Sequence, residues 1–266
     1  MNIGFIGLGN MGGSLALLIA RDEGYRSELL LANRSRDKAE KIAAEVGGQP
    51  VNNEEVFAQA EVIFLGIKPA QFADLLTEYQ EILEKRESLL LVSMAAGLPL
   101  KTLKKLVPSH HRWIRIMPNT PVAVGEGVIT YSLSQQANQA DEDLLCELLS
   151  SAGLLVKLEE KQLDAATALA GCGPAFVYLF IEALADAGVR AGLSRDISLQ
   201  LANQTLLGAA KLSQVSEQHP AQLKDQVCSP AGSTIAGVAS LEENAFRGTV
   251  MDAVQASYKR TQELGK

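Results

Sequence analysis

The stretch Asn2-Ile3-Gly4-Phe5-Ile6-Gly7-Leu8-Gly9-Asn10-Met11-Gly12 decides the architecture of the chain. An apolar run ending at Ile6 leads at once into G-x-G-x-x-G, and an apolar helical pattern follows over residues 11–21. In such a strand–turn–helix unit Gly7 permits the tight turn, Gly9 lets the backbone approach a pyrophosphate, and Gly12 allows close helix–strand packing. The helix start adds unpaired N–H groups and the positive end of its dipole. Ile6, Gly7, Leu8, Gly9, Asn10, Met11 and Gly12 are therefore expected to hold the phosphates of a dinucleotide.

Outward from this unit, strand-like runs at 2–6, 29–32, 62–67, 89–92 and 114–116 alternate with helical patterns at 11–21, 37–46, 71–82 and 100–106. The alternation predicts an α/β fold with a largely parallel sheet of the Rossmann type. Continuous apolar runs such as Val62-Ile63-Phe64-Leu65 suit strands covered on both faces. Runs at 128–131 and 154–156 extend the sheet. From Glu160 the strand signals stop, and helical patterns follow at 162–170, 175–191, 195–212, 221–226, after Pro230, and at 245–264. The reading is a dinucleotide-binding domain over 1–159 and an all-helical domain over 160–266. Helix 175–191 is apolar around most of its circumference, with Glu182, Asp186 and Arg190 as one narrow polar stripe. A domain of roughly 100 residues covers such a helix poorly, so a second copy of the chain is expected to cover it.

At the end of the second strand a site for NAD would place Asp or Glu on the ribose 2′-hydroxyl, but Asn33-Arg34-Ser35 stand there. Arg34 suits a 2′-phosphate through charge-assisted hydrogen bonds, with Asn33 and Ser35 as neutral donors. The cofactor expected is NADPH, with NADH accepted less readily. After the next strand, Gly66-Ile67-Lys68-Pro69 lies at the carboxyl edge where open α/β sheets bind ligands, and Lys68 is expected on the cofactor. In Met117-Pro118-Asn119-Thr120-Pro121 two prolines fix the backbone and present Asn119 toward a carboxamide or substrate.

Composition narrows the classes. A net charge of -7 disfavours nucleic acid and anionic membrane as partners. The odd set Cys146, Cys172 and Cys228, without a CxxC pair, fits a reducing cytosol, and no His/Cys spacing suggests a metal. No signal-peptide pattern and no run of ~18 consecutive apolar residues is present, so a cytoplasmic protein without membrane contact is expected.

Two turns of the helical half have the composition of ligand sites. Gly171-Cys172-Gly173-Pro174 is expected to open the long apolar helix, with Pro174 at its first position, and Ser229-Pro230-Ala231-Gly232-Ser233-Thr234 to open another, with Pro230 likewise and Ser229 as cap. The second offers three hydroxyls and free N–H groups without a bulky side chain, a receptor for a small carboxylate.

Through residues 5–12, Asn33-Arg34, Lys68-Pro69, 117–121, 171–175 and above all Leu223-Lys224-Asp225-Gln226-Val227 leading into 229–234, the chain resembles the pyrroline-5-carboxylate reductase family. The resemblance implies a helical domain that interlocks in a homodimer, with assembly into a higher oligomer left open. It implies reduction of the imino acid Δ1-pyrroline-5-carboxylate to proline, with Ser229, Pro230, Ala231, Gly232, Ser233 and Thr234 on the carboxylate. It also places Thr234 near the ring nitrogen as the favoured donor and Glu217 in the same region; Lys68, at the carboxyl edge, is taken with Thr234 as a catalytic candidate. The chain departs from the family at Ala231, where glycine is common, and at Ser233, where alanine or threonine is common. Two other readings stay open: a β-hydroxyacid dehydrogenase, whose catalytic lysine is absent from helix 175–191, and a nucleotide-binding sensor without turnover.

Overall fold

The computed structural model describes residues 1–264. Eight strands form one sheet in the order β3-β2-β1-β4-β5-β6-β7-β8: β1 (Ile3–Ile6), β2 (Leu29–Ala32), β3 (Gln49–Pro50), β4 (Val62–Leu65), β5 (Leu90–Ser93), β6 (Arg112–Pro118), β7 (Gly127–Leu133) and β8 (Gly153–Lys157). All pairings are parallel except β6 with β7. The helices of this region are α1 (Asn10–Ile19), α2 (Arg36–Val46), α3 (Asn53–Gln59), α4 (Phe72–Glu78), α5 (Gln80–Lys85), α6 (Leu100–Leu103), α7 (Gln139–Leu148) and α8 (Leu163–Ala166).

The period of two along each strand divides the core into two layers. Phe5, Leu31, Phe64 and Val92 face one layer; Ile6, Leu30, Ile63, Leu65 and Leu91 face the other. Phe5 and Phe64 pair across β1 and β4 and stack at 4.8 Å. Both faces are sealed, so the carboxyl edge of β2, β1 and β4 is left as the place for a ligand.

Several sequence expectations shift. The helix expected over 71–82 breaks at Tyr79 into α4 and α5, and that over 100–106 shortens to α6. The elements β3, α3 and α7 were not anticipated; α3 and α7 each start at a reciprocal capping box, Asn52 with Glu55 and Asn138 with Asp141. The antiparallel β6–β7 pair follows from a connection too short for a crossover helix.

The chain divides into two compact units, Met1–Cys172 with the residues from Ser257 onward, and Gly173–Ala256, so residues 160–172 pack with the first unit. The cause is in residues 160–172. Buried Arg115 on β6 pairs with Glu160 at 3.6 Å and Asp164 at 3.2 Å, and Leu163 and Ala168 are fully buried. Gly171-Cys172-Gly173-Pro174 is not a turn that opens a helix. A π-helical turn, Thr167–Gly171, runs into α9 (Gly173–Arg190), and the Cys172 N–H donates to the Thr167 carbonyl at 3.0 Å.

The second unit holds α9, α10 (Arg195–Val215), α11 (Pro220–Gln226), α12 (Ser233–Glu243) and the start of α13 (Phe246–Leu264). Within it few side chains are buried, Ala185, Ser198 and Ala202 among them, whereas Leu179 is 68% and Leu207 61% exposed. The helical run Glu160–Arg190, 31 residues long, is the one among the described residues long and apolar enough to cross a membrane. That corrects the expectation of no such segment, which counted only uninterrupted apolar residues. A helix destined for cover by another chain has the same composition.

Candidate active site

The glycine loop is shaped by backbone contact. Gly7 takes φ 92°, and a Cβ there would lie 2.7 Å from the Gly66 carbonyl oxygen. A Cβ at Gly12 would collide with the Gly7 carbonyl, so Gly12 lets α1 close onto the β1 turn. Around Gly9 nothing lies within 4 Å of where a Cβ would be, and Gly9 is the N-cap of α1 with no side-chain hydrogen bond. The first turn of α1 therefore keeps its N–H groups for an anion that approaches the backbone closely.

Asn33 is half-buried and braces this loop. Its Oδ1 accepts from the Leu8 N–H at 3.0 Å, and its Nδ2 donates to the Ser35 carbonyl at 3.1 Å. The amide expected to donate to a phosphate is thus engaged inside the protein. Arg34 and Ser35 are exposed; Ser35 is the N-cap of α2 but makes no capping bond, so its hydroxyl is open.

A cleft of about 610 Å³ gathers Ile6, Gly7, Gly9, Asn33, Arg34, Ser35 and Lys68. Neither Arg34 nor Lys68 has an acidic partner among the described residues. Both leave their charge to the cleft. Asn53 at the start of α3 and Gln71 also line it, and the sequence reading named neither. Residues 10–12 and Pro69 are not among its walls; Leu8 is a core side chain. Asn119 is not there either. It is 7% exposed, its Oδ1 accepts from the Val128 N–H at 2.8 Å, and its Nδ2 donates to the Ala170 carbonyl at 3.0 Å. It closes the β6–β7 hairpin.

These features fit an NADP-type dinucleotide: a backbone cradle for pyrophosphate, an open first helical turn, and two cations in one cleft without a carboxylate at the end of β2.

In the second unit, residues 229–234 form a tight turn before α12. The Gly232 N–H donates to the Ser229 carbonyl at 3.0 Å, with Pro230 and Ala231 at the centre and Ala231 at φ 57°. That is the type II pattern, Pro at the second position and positive φ at the third. The helix begins at Ser233 with Gly232 as N-cap, so Pro230 is not its first residue and Ser229 does not cap it. A Cβ at Gly232 would collide with the Ser229 hydroxyl. Ser233 and Thr234 are the first two residues of α12, exposed like Ser229, and no side chain caps their N–H groups. Glu217 lies exposed in the loop after α10 and makes no side-chain hydrogen bond among the described residues; its neighbour Gln218 accepts from Gln226 at 2.6 Å.

Comparison with known proteins places both halves. Residues 160–264 match the family model described as pyrroline-5-carboxylate reductase dimerisation, and residues 2–97 that described as NADP oxidoreductase coenzyme F420-dependent. The chain is 43% identical to the pyrroline-5-carboxylate reductase of Pisum sativum, covering 98% of this chain and 95% of the relative. It is 38% identical to pyrroline-5-carboxylate reductase 2 of Homo sapiens, covering 99% and 84%. Among solved structures, pyrroline carboxylate reductase of Plasmodium falciparum with NADP bound aligns at TM-score 0.88 and 36% identity over 100% of this chain and 98% of that one. A pyrroline-5-carboxylate reductase from Coxiella burnetii aligns at TM-score 0.91 and 30% identity with the same coverage, 100% and 98%. With a mostly parallel Rossmann-type domain followed by a helical dimerisation domain along its length, the chain belongs to the pyrroline-5-carboxylate reductase family.

Proposed function

We propose that this chain carries out the NADPH-dependent reduction of Δ1-pyrroline-5-carboxylate to L-proline, the last step of proline synthesis. The observation that carries the cofactor half is the convergence of Gly7, Gly9, Arg34 and Lys68 on one cleft. Arg34 and Ser35 hold the 2′-phosphate, which makes NADPH preferred over NADH, and the first turn of α1 holds the pyrophosphate. When bound, NADPH supplies the hydride that reduces the imine carbon. A protonated imine is already activated, so the chain's residues orient and stabilise rather than supply a strong acid.

The substrate half rests on the turn at 229–234. The N–H groups at the start of α12 and the Ser229 and Ser233 hydroxyls hold the imino acid's carboxylate, and the Thr234 hydroxyl hydrogen-bonds its nitrogen. Glu217 belongs to this site by resemblance. A homodimer is supported by the match to the dimerisation model and by the exposed apolar side chains of Gly173–Ala256. Monomer alone in light scattering at micromolar concentration overturns it. A cytoplasmic location is supported by three free cysteines.

The test is NADPH oxidation at 340 nm with Δ1-pyrroline-5-carboxylate. Turnover supports this reading. Oxidation of a β-hydroxyacid with NADP⁺ would favour the dehydrogenase reading, and NADPH binding without turnover a sensor. If Thr234→Ala leaves kcat/KM within about twofold, its assigned role is abandoned.

A further inference from the structure

The cofactor cleft has more walls than the phosphates use. On the reading above, pyrophosphate takes the Gly7–Gly9 turn and the 2′-phosphate takes Arg34 and Ser35. What remains, on the wall formed by α4 and the end of β4, is Ile67, Gln71, Asp74, Leu75 and Glu78. The nicotinamide and the purine base are both still to be placed, and the base is attached to the ribose that carries the 2′-phosphate, so it belongs to the Arg34 end of this cleft.

The chemistry of this wall is selective. Ile67 and Leu75 are half-buried and offer an apolar surface of the kind a base covers. The Gln71 Oε1 accepts from the Lys68 N–H at 3.2 Å, so that carbonyl already has a partner. Glu78 faces the hydroxyl of neighbouring Tyr79, whose pKa is raised by burial and then by that carboxylate. The Asp74 carboxylate, exposed in the first turn of α4, makes no hydrogen bond or ion pair among the described residues and lines the cleft one residue from Leu75. An ionised carboxylate only accepts hydrogen bonds. Adenine presents a donor, its 6-amino group, where guanine and hypoxanthine present an acceptor oxygen.

We infer that Asp74 selects the purine base of the cofactor, accepting a hydrogen bond from the 6-amino group of an adenine seated on Ile67 and Leu75. A 6-oxo purine in the same seat sets its oxygen against the carboxylate. The inference rests on the cleft being the NADP(H) site, and it makes Asp74 a determinant of cofactor specificity outside the glycine loop and Arg34.

The experiment is titration calorimetry of the intact protein with NADP⁺ and with nicotinamide hypoxanthine dinucleotide phosphate, which carries a 6-oxygen and an N1–H in place of the 6-amino group and bare N1 of adenine. The wild type should bind the adenine form about tenfold more tightly, as one good base-edge contact provides. Asp74→Asn, whose amide can turn an N–H toward the 6-oxygen, should bring the two within about twofold. Arg34→Ala should weaken both by the same factor and keep their ratio. An unchanged ratio in D74N, or equal binding by the wild type, overturns the role of Asp74 while leaving the cleft as the NADP(H) site. A ratio that collapses equally in R34A assigns the selectivity to phosphate anchoring and also overturns it. If neither dinucleotide binds the wild type, the reading of the cleft falls as well.

Discussion

Asn33 joins the two loops that shape the cofactor cleft: its Oδ1 holds the Leu8 N–H of the glycine loop at 3.0 Å, and its Nδ2 holds the Ser35 carbonyl at 3.1 Å. The pyrophosphate cradle and the Arg34 loop are therefore positioned by one side chain. Asn33→Ala removes both bonds. It should cost about 1 kcal/mol in stability and raise KM for NADPH severalfold, with kcat little changed. Asn33→Asp keeps the acceptor for Leu8 but loses the donor to the Ser35 carbonyl and adds a negative charge beside the phosphates, so it too should lose stability, while KM rises more for NADPH than for NADH. Steady-state kinetics with both cofactors, set beside urea unfolding, check the pair. Equal rises for the two cofactors in N33D would contradict this account.

Arg34 is exposed and has no acidic partner among the described residues, so its removal leaves no buried charge behind. Arg34→Ala should leave the melting temperature within a degree or so. Affinity for NADP⁺ should fall by roughly 10- to 100-fold, the worth of a charge-assisted contact, and that for NAD⁺ by no more than about twofold. Fluorescence titration of the two nucleotides decides it, and parallel losses would move the 2′-phosphate contact elsewhere.

The turn at 229–234 separates conformation from chemistry. Ala231 sits at φ 57°, a region that costs a residue with a Cβ about 1–2 kcal/mol and glycine nothing comparable. Ala231→Gly should therefore raise the melting temperature or leave it unchanged, with kcat/KM preserved. Gly232→Ala drives a Cβ into the Ser229 hydroxyl and should raise KM for the imino acid at least tenfold while NADP⁺ affinity is unchanged. Kinetics on the two variants together test this, because a generally loosened fold would weaken nucleotide binding too.

Much of the sheet was legible because β1, β2, β4 and β5 are short runs with both faces buried, which leaves Ser93 at the end of β5 as their one polar side chain. The missed helices also left a mark: Asn52 with Glu55 and Asn138 with Asp141 carry the capping pattern three residues apart. The turn at 229–234 was legible in its residue types but not in its shape, because Pro230 suits the first position of a helix as well as the second of a turn. Asn119 shows the limit most clearly. Its prolines suggest an exposed turn, and only contact with Ala170, 51 residues away, makes it a buried brace.

His111 provides a stability switch outside the site. It is 2% exposed; its Nδ1 accepts from the Leu89 N–H at 3.2 Å, and its Nε2–H donates to the Leu83 carbonyl at 2.9 Å. Those two bonds require the neutral ring. Burial lowers its pKa, and His110, Arg86 and Arg112 nearby lower it further, against the opposing effect of the Leu83 carbonyl. The folded state thus binds a proton less readily than the unfolded chain, whose histidine titrates near pH 6.5. The stabilisation is complete above that pH and is lost as pH falls through it toward the folded value, at a slope of at most about 1.4 kcal/mol per pH unit. Unfolding free energy should therefore drop between pH 7.5 and 5.5, a window above the range where Glu142, held below its usual value by Lys157 and Tyr131 against the opposing effect of burial, begins to protonate. His111→Gln should be less stable than wild type at pH 7.5, because its amide reproduces the two backbone bonds imperfectly, but its stability should vary less across this window. Chemical denaturation of both proteins at several pH values provides the measurement, and equal slopes would remove His111 as the cause.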